Sequence, residues 1–150
     1  MVERIPQDPG YESKVRESFA RQPHMATLGA AIEYLAPGAV DISLPFADRF
    51  CQQNGFMHAG AIASAADSAN GYAAYTLSPP GTDVLAVEFK INLLAPAQGP
   101  GFLACGRVLR SGRTLTVCQA EVFTTGPGER ALVAVMLSTL IVRPIPHLKS

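Results

Sequence analysis

The sequence predicts an α+β domain in which an antiparallel sheet wraps around one long central helix. Eight of the sixteen residues at positions 59–74 are alanine, the residue with the highest helix propensity. The helix that they predict, at about 58–77, is too apolar to lie on the surface. The segment at 84–94 that follows it alternates between apolar and polar residues, which is typical of a strand. A chain of 150 residues is long enough to enclose this helix in a single domain, 1–150.

The other elements are indicated by the spacing of apolar residues and by turns rich in proline and glycine. Before the central helix we predict a loose arm at 1–10, a helix at 11–21, strands at 30–35 and 39–45, and a loop at 47–57. After the central helix we predict strands at 84–94, 102–110, 114–124 and 130–143.

The apolar residues of two later strands indicate which faces of the sheet are buried. In the strand at 84–94, the alternation places five apolar residues on one face: Leu85, Val87, Phe89, Ile91 and Leu93. The last strand is apolar on both faces. One of these faces is expected to cover the central helix, and the other to pack against a second subunit.

The composition excludes several classes of function. Twelve Lys and Arg balance twelve Asp and Glu, so net charge favours neither nucleic acid nor an anionic membrane as a partner. No apolar stretch reaches the roughly 18 residues of a membrane span, and the N-terminus lacks the apolar core of a signal peptide. Three cysteines without metal-type spacing and three scattered histidines argue against a metal site and favour reduced thiols in the cytoplasm.

A carboxylate in the middle of the central helix is the strongest candidate for chemistry. Asp67 is surrounded by small apolar residues, and a charge there is costly unless a partner or a reaction compensates for it. It shares a helix face with Gly60 and Ala63, at spacings of seven and four. Asp67 is therefore either a structural acid, paired with Lys90, an arginine or a hydroxyl, or a group that activates water or attacks a carbonyl.

The start of the central helix is the second candidate. Unpaired N–H groups and the positive end of the helix dipole suit an oxyanion that develops on a carbonyl. Ala59 and Gly60 are small enough to let a substrate approach the backbone there. Gln52 and Asn54, just upstream, can hydrogen-bond a water or the carbonyl. His58 is either a catalytic group or, more commonly for a lone histidine at a helix start, a structural one.

Three segments together resemble the hotdog-fold thioesterases of the phenylacetic-acid-degradation (PaaI-like) family. The first is Gly55-Phe56-Met57-His58-Ala59-Gly60, followed by Asp67 nine residues after the histidine. The others occupy 88–97, read as EFKINLLAPA, and 109–115, read as LRSGRTL. The resemblance covers about residues 50–143.

This resemblance implies a hotdog fold, in which a helix is wrapped by an antiparallel sheet and two subunits pair into one continuous sheet. It implies homodimers or homotetramers with active sites between subunits. It also implies hydrolysis of acyl-coenzyme A thioesters without a metal or cofactor. In that mechanism the N–H of Ala59 polarises the thioester carbonyl, and Asp67 of the neighbouring subunit is the general base or nucleophile.

The chain departs from the family pattern at three positions. Ala59 stands where relatives usually have the first of two glycines, and Gln52 stands where asparagine is common. Ala86 replaces a serine or threonine that some relatives carry near the aspartate. With that hydroxyl and asparagine absent, Asp67 and the helix N-terminus are expected to carry most of the mechanism.

The substrate contacts are predicted less closely. Apolar residues near the helix are expected to line the acyl site: Phe56, Met57, Ile62 and Tyr72. Arg110, Arg113 and Thr114 either meet the phosphates of coenzyme A or are ordinary hairpin residues. Two other functions stay open, namely an enoyl-CoA hydratase or dehydratase of the same fold, and an acyl-CoA-binding module without catalysis.

Overall fold

A computed structural model describes residues 3–145 of the chain. It contains one six-stranded antiparallel sheet, in the order β1-β2-β4-β5-β6-β3, and a long helix, α3, packed against it. The helices are α1 (Tyr11–Ala20), α2 (Pro23–Leu28) and α3 (Ala59–Tyr75). The strands are β1 (Ala31–Ala36), β2 (Ala39–Pro45), β3 (Thr82–Leu93), β4 (Gly101–Ser111), β5 (Leu115–Thr125) and β6 (Leu132–Pro144). The predicted class, an α+β hotdog fold with a sheet around a central helix, is confirmed.

The alanines of α3 allow the helix to lie very close to the sheet. Ala65, Ala66 and Ala69 are fully buried. A Cβ added to Gly106 of β4 would lie 2.4 Å from the carbonyl of Ala69, so only glycine fits there. Larger side chains at these positions would force the two layers apart. The small residues that identify the helix in the sequence are therefore the same ones that bring it into the core.

The segment before the sheet differs from its prediction in two ways. The short helix α2 begins with Pro23 at its first position and ends at Gly29, which has a left-handed backbone (φ 71°). Its six residues are too few to show a helical period in the sequence. The arm is also not loose over its described part, because Arg4 Nη2 donates to Val108 O at 2.5 Å and Gln7 Nε2 donates to Leu77 O at 3.1 Å.

A bulge in β3 corrects the predicted face of that strand. The pairing with β6 shifts register between Ala86 and Glu88, which leaves Val87 as the extra residue. Ala86 pairs with the buried Leu140, whereas its neighbour Leu85 pairs with Ile141 on the opposite face. Beyond the bulge, Phe89 pairs with Ser138, which is fully buried. Leu85 and Phe89 therefore lie on opposite faces, and the prediction of one shared apolar face is wrong.

The strand β3 is one edge of the sheet, since β6 is its single neighbour among the described strands. Leu85, Val87, Phe89 and Leu93 are all about half exposed. The last strand, β6, buries Met136 and Leu140 against the core and leaves Leu137 exposed on its other face. An edge with exposed apolar residues and unpaired backbone groups is a surface on which another strand can pair.

Candidate active site

Asp67 lies in the middle of α3, where it lines a cavity of about 490 Å³ between α1, α3 and β3. Its Oδ1 atom is buried and has no hydrogen-bond donor in the described part of the chain. Burial raises the pKa of Asp67 above its ordinary value. Lys90 is no partner for it, because Lys90 pairs with Leu137 on the sheet face that points away from the core. The described structure therefore offers no ion pair that would explain the carboxylate as a structural acid.

The bulge in β3 sets what faces Asp67. Ala86 lines the same cavity as Asp67, and it does so because the bulge turns its side chain to the helix side of the sheet. A serine or threonine at this position would place a hydroxyl in the cavity. With Ala86 there, β3 contributes only a methyl group at this point.

At the start of α3, His58 is the N-cap residue. Its Nδ1 accepts a hydrogen bond from the N–H of Gly60 at 2.8 Å, and its carbonyl accepts one from Ala61 at 2.9 Å. Its own N–H donates to the carbonyl of Phe50 at 2.8 Å, which fixes the residue in place. Within residues 3–145 no acceptor faces the N–H of Ala59. Of the two predicted backbone donors, Gly60 is therefore engaged by the histidine ring and Ala59 is free.

Ala59 borders a second cavity, of about 430 Å³, which is mostly apolar. The residues around it come from the loop before α3, from α3 itself, and from the end of β3 with the segment that follows: Gln52, Phe56, Met57, Ala59, Ile62, Leu93, Leu94, Ala95, Pro96, Ala97 and Val133. The N–H of Met57 donates to the carbonyl of Ala97 at 3.0 Å and so joins two of these segments. The cavity thus brings five predicted site residues together, namely Gln52, Phe56, Met57, Ala59 and Ile62.

The loop predicted at 47–57 contains more structure than expected. A short 3-10 helix occupies Asp48–Phe50, and Cys51 and Met57 form an isolated bridge. Between them a tight turn runs from Gln52 to Phe56, whose carbonyl accepts from the N–H of Gln52 at 2.8 Å. The side-chain oxygen of Gln52 accepts from the N–H of Asn54. Gln52 therefore has its amide N–H₂ group left for the cavity, whereas Asn54 is exposed and lines neither cavity.

The two cavities share no residue within one chain. Asp67 lines the first and Ala59 the second. Both are bordered by β3 or its continuation, the first near residues 83–86 and the second near 93–94. Gly60, which the spacing places on the face of Asp67, borders a third cavity instead, with His58 and Ser64. One protomer alone therefore does not bring the carboxylate and the free N–H together.

The predicted phosphate-binding residues lie apart from both cavities. Arg110, Arg113 and Thr114 are exposed at the hairpin between β4 and β5. Arg113 borders a small cavity of about 110 Å³ beside Ser78 and Gly112. No contact in the described chain joins these residues to Asp67 or Ala59.

Several polar residues of the first cavity are absent from the sequence prediction, and two of them are Ser18 and Gln22. Ser18 of α1 places its Oγ 3.3 Å from the hydroxyl of Tyr72, and Gln22 accepts from Ser68 Oγ at 3.5 Å. The sequence does indicate that Ser18 faces inward, because this serine falls on the apolar side of the predicted first helix with Val15 and Phe19. Gln22 has no such signal, since it belongs to the turn between α1 and α2.

The remaining reactive side chains do not form a second reaction centre. Ser64 Oγ donates to the carbonyl of Gly60 at 2.8 Å, so His24, 2.9 Å from the same Oγ, is its donor and not a base. Desolvation, and then the charge of Asp48, raise the pKa of Cys51 and disfavour its thiolate. Within residues 3–145 there is no cluster of three potential metal ligands. No helix in that part of the chain is long and apolar enough to cross a membrane.

Comparison with known proteins identifies the family. The sequence profile of the Thioesterase superfamily matches residues 54–131, just over half of the chain. A protein of Saccharolobus solfataricus, named provisionally as an esterase, is 30% identical over 130 residues, which are 87% of this chain and 84% of the relative. A second such protein of that organism is 36% identical over 87 residues, but the match spans only 61% of the relative's length.

Solved structures agree with this assignment. A thioesterase family protein from Silicibacter pomeroyi has a TM-score of 0.88 and 47% identity, over 90% of this chain and 99% of that one. The PaaI protein of E. coli, from the phenylacetic acid degradation operon, has a TM-score of 0.81 over 93% and 96% of the two chains. At 18% identity, it shows the fold alone. The chain belongs to the Thioesterase superfamily.

Proposed function

We propose that the protein hydrolyses acyl-coenzyme A thioesters to the free acid and coenzyme A. The observation that carries the proposal is the buried, unpaired carboxylate of Asp67, which lines a cavity and has a raised pKa. Such a group is a stronger base than an exposed aspartate and has a free lone pair for water or for a carbonyl carbon. Membership of the Thioesterase superfamily selects the thioester as the bond that it cleaves.

The complete site requires two copies of the chain. We infer that β3 of one copy pairs antiparallel with β3 of a second copy, which extends the sheet across both. Antiparallel pairing places the 83–86 end of one strand beside the 93–94 end of the other. The cavity of Asp67 would then meet the cavity of Ala59 from the partner. The half-exposed Val87 and Phe89 on β3 supply apolar contacts for such an interface.

In this arrangement the N–H of Ala59 donates to the thioester carbonyl oxygen and stabilises the negative charge that forms there. Asp67 removes a proton from a water molecule, whose oxygen then bonds to the carbonyl carbon. Collapse of the tetrahedral intermediate breaks the carbon–sulfur bond and releases coenzyme A as a thiolate, which takes up the proton. In the alternative route Asp67 attacks the carbonyl itself, and water then hydrolyses the resulting anhydride. Both routes give the same products.

The other proposed contacts are made by the second cavity and by the hairpin between β4 and β5. The free amide N–H₂ of Gln52 is well placed to hold the carbonyl or the water at the second cavity. The apolar walls of that cavity, including Phe56 and Met57, suit the substrate near the thioester. We assign Arg113 and Arg110 to the phosphates of coenzyme A, because both are exposed cations on a hairpin.

Hydration of an enoyl thioester is a less suitable function for this site. That reaction pairs a histidine with an acid, and the free ring nitrogen of the histidine must reach the substrate. Here His58 borders neither the cavity of Asp67 nor that of Ala59, and its Nδ1 accepts from the N–H of Gly60 and caps the helix. The role of His58 is therefore explained by capping of the N-terminus of α3.

Substitution of Asp67 tests the proposed function. In Asp67→Asn the side chain keeps its size but can neither take a proton from water nor form an anhydride. We expect thiol release from acyl-coenzyme A, measured with a chromogenic thiol reagent, to fall by at least about a thousandfold, in line with loss of a principal catalytic group. The matched control is Asp83→Asn, which changes a second carboxylate of the same cavity and is expected to retain activity. Full activity of Asp67→Asn, in an oligomer of unchanged size, would remove the assignment.

A further inference from the structure

Two buried side-chain oxygens of the described chain have no hydrogen-bond donor, and they lie about one turn apart on α3. They are Oδ1 of Asp67 and Oδ1 of Asn70. Residues three apart on a helix are neighbours on its surface, with about 5–6 Å between their Cβ atoms. An unsatisfied buried acceptor is uncommon in a folded protein, and two of them at neighbouring positions indicate a function that they share.

The surroundings on α3 and on the facing strands supply no donor to these oxygens. The α3 positions four residues before and after the two side chains carry no polar side-chain atom: Ala63, Ala66, Gly71 and Ala74. From the sheet, Ala86 and Leu140 border the cavity of Asp67, and both are apolar. Asp67 and Asn70 are therefore each other's nearest candidates for a polar contact on this face of the helix.

The other end of the Asn70 side chain is held by β6. Asn70 is fully buried, and its Nδ2 donates to Oγ of Ser138, also fully buried, at 2.8 Å. A serine hydroxyl can donate as well as accept, and an amide has a donor on one side and an acceptor on the other. A half-turn of the amide therefore keeps the contact, because Ser138 then donates to Oδ1. The same half-turn replaces the free acceptor of Asn70 with a free donor.

These two orientations of the amide match the two protonation states of a carboxyl group. With Oδ1 free, Asn70 can accept a hydrogen bond from Asp67 in its protonated form. With Nδ2 free, Asn70 can donate to Asp67 in its ionised form. A hydrogen bond to a charged group is the stronger of the two, so the ionised form gains more from the contact.

We propose that Asn70 is a positioning residue for Asp67, and that its amide turns between Ser138 and the carboxyl group as Asp67 gains and loses a proton. The inference rests on the proposed hydrolysis and deepens it. In the ionised state, Ser138 donates to Asn70 Oδ1 and Asn70 Nδ2 donates to Asp67 Oδ1, so both buried oxygens are satisfied. After Asp67 has taken a proton from water, it donates to Asn70 Oδ1, and Nδ2 donates to Ser138 as in the structure.

Four other charged or titratable groups border the cavity of Asp67. Arg21 follows α1, Tyr72 and Tyr75 belong to α3, and Asp83 belongs to β3. None of them donates to Oδ1 of Asp67 in the part of the chain that the structure describes. A substitution of Asn70 leaves all four in place. A change in the pH profile of such a variant therefore reports on the amide.

The test is the pH profile of Asn70→Leu, which keeps the branched shape of the side chain and removes its donor and acceptor. We expect the acidic limb of kcat/KM for thiol release to move to higher pH by roughly 0.5–1 pH unit, because the ionised form of Asp67 loses the stronger bond. We also expect kcat to fall about tenfold with KM unchanged, because the carboxylate is less well oriented. Ser138→Ala should move the limb in the same direction by less, and Ser138→Thr, which keeps the hydroxyl, should restore it.

Thr76→Val is the matched control, since it removes a buried hydroxyl at the other end of α3. Thr76 is fully buried, and its Oγ1 accepts from the N–H of Gly38 at 2.7 Å and donates to the carbonyl of Ala73 at 2.6 Å. This variant is expected to lower the thermal unfolding temperature and to leave the limb in place. An equal shift of the limb in Thr76→Val and Asn70→Leu would overturn the inference, because loss of stability alone would then explain both.

The remaining outcomes separate this inference from the function on which it rests. A limb at the wild-type pH in Asn70→Leu, in an oligomer of unchanged size by light scattering, overturns the role of Asn70. If Asn70→Leu does not fold, Ser138→Ala and Ser138→Thr decide, and equal limbs in these two variants overturn it. When Asp67→Asn is inactive, these results reject the positioning role alone. Full activity of Asp67→Asn instead overturns both proposals together.

Discussion

At the scale of single residues, Asp67 and Ala59 each have a polar group that the described chain leaves without a partner. A buried oxygen without a donor costs about 1–3 kcal/mol. A folded protein retains such a cost where a ligand or a reaction uses the group. The acceptor on Asp67 and the donor on Ala59 are complementary to the attacking water and the carbonyl oxygen of one thioester. Because one group accepts a hydrogen bond and the other donates one, the two groups suit different roles in the same reaction.

The role of the Ala59 N–H can be tested without removing a side chain. Ala59 is the first residue of α3, a position where proline is well tolerated in helices. His58 has φ −60° and ψ 140°, which is compatible with a proline after it. Ala59→Pro thus deletes the N–H and is expected to keep the helix. We expect kcat for thiol release to fall by about 10²–10³, the usual effect of losing one oxyanion donor.

The control for this substitution is Ala59→Gly, which keeps the N–H and has the residue that the family usually carries. It is expected to retain activity. Circular dichroism and light scattering of both variants establish that the helix and the oligomer are preserved. Equal activity of the proline and glycine variants would exclude the Ala59 N–H as the oxyanion donor.

The environment of Asp67 predicts a pH dependence that one substitution should shift. The ionised form is the active base or nucleophile, so kcat/KM falls as pH falls through the pKa of Asp67. Because burial raises this pKa above 3.8, the acidic limb is expected at a higher pH than for an ordinary aspartate. In Ala86→Ser, a hydroxyl that donates to the carboxylate stabilises the charged form and should move the limb to lower pH.

Leu137→Ser is the control for the pH profile, because Leu137 is exposed on the face of β6 that points away from the core and borders neither cavity. It is expected to leave the acidic limb where it is. A limb that moves equally in both variants would mean that the shift has another source than a hydroxyl beside Asp67.

At the scale of secondary structure, regular elements are predictable from the sequence and local irregularities are not. The alanine content predicts α3, and alternation, short apolar runs and the turns between them predict all six strands. The bulge at Val87 adds one residue without changing the alternation of the sequence on either side. It nevertheless places Leu85 and Phe89 on opposite faces and turns Ala86 toward the cavity that Asp67 lines.

In the candidate site, too, the sequence predicts some of the residues but not the contacts between distant segments. The spacing of His58 and Asp67, together with the glycines and alanines around them, points to the start and the middle of α3. Side-chain contacts between distant segments leave no local pattern, so the contact of Ser18 with Tyr72 emerges only from the fold. The same holds for His58, whose ring engages the N–H of Gly60 and leaves Ala59 as the free donor.

At the scale of the whole molecule, the separation of the two cavities within one protomer has a testable consequence. If the reaction uses Asp67 from one copy and Ala59 from another, each dimer contains two composite sites. A dimer that combines Asp67→Asn with Ala59→Pro then has one site with both substitutions and one site with neither. The intact site uses Asp67 of the proline variant and Ala59 of the asparagine variant.

Mixing the two inactive variants is therefore expected to restore thiol release. Random exchange makes about half of the dimers mixed, and each has one working site of two, so activity should recover to about a quarter of the wild-type value. The exchange can be driven by partial denaturation and refolding, with light scattering to confirm the oligomer. Each variant taken through the same treatment alone serves as the control and should stay inactive. If Asp67 and Ala59 acted within one chain, no mixture of these variants would regain activity, because each chain lacks one of the two groups.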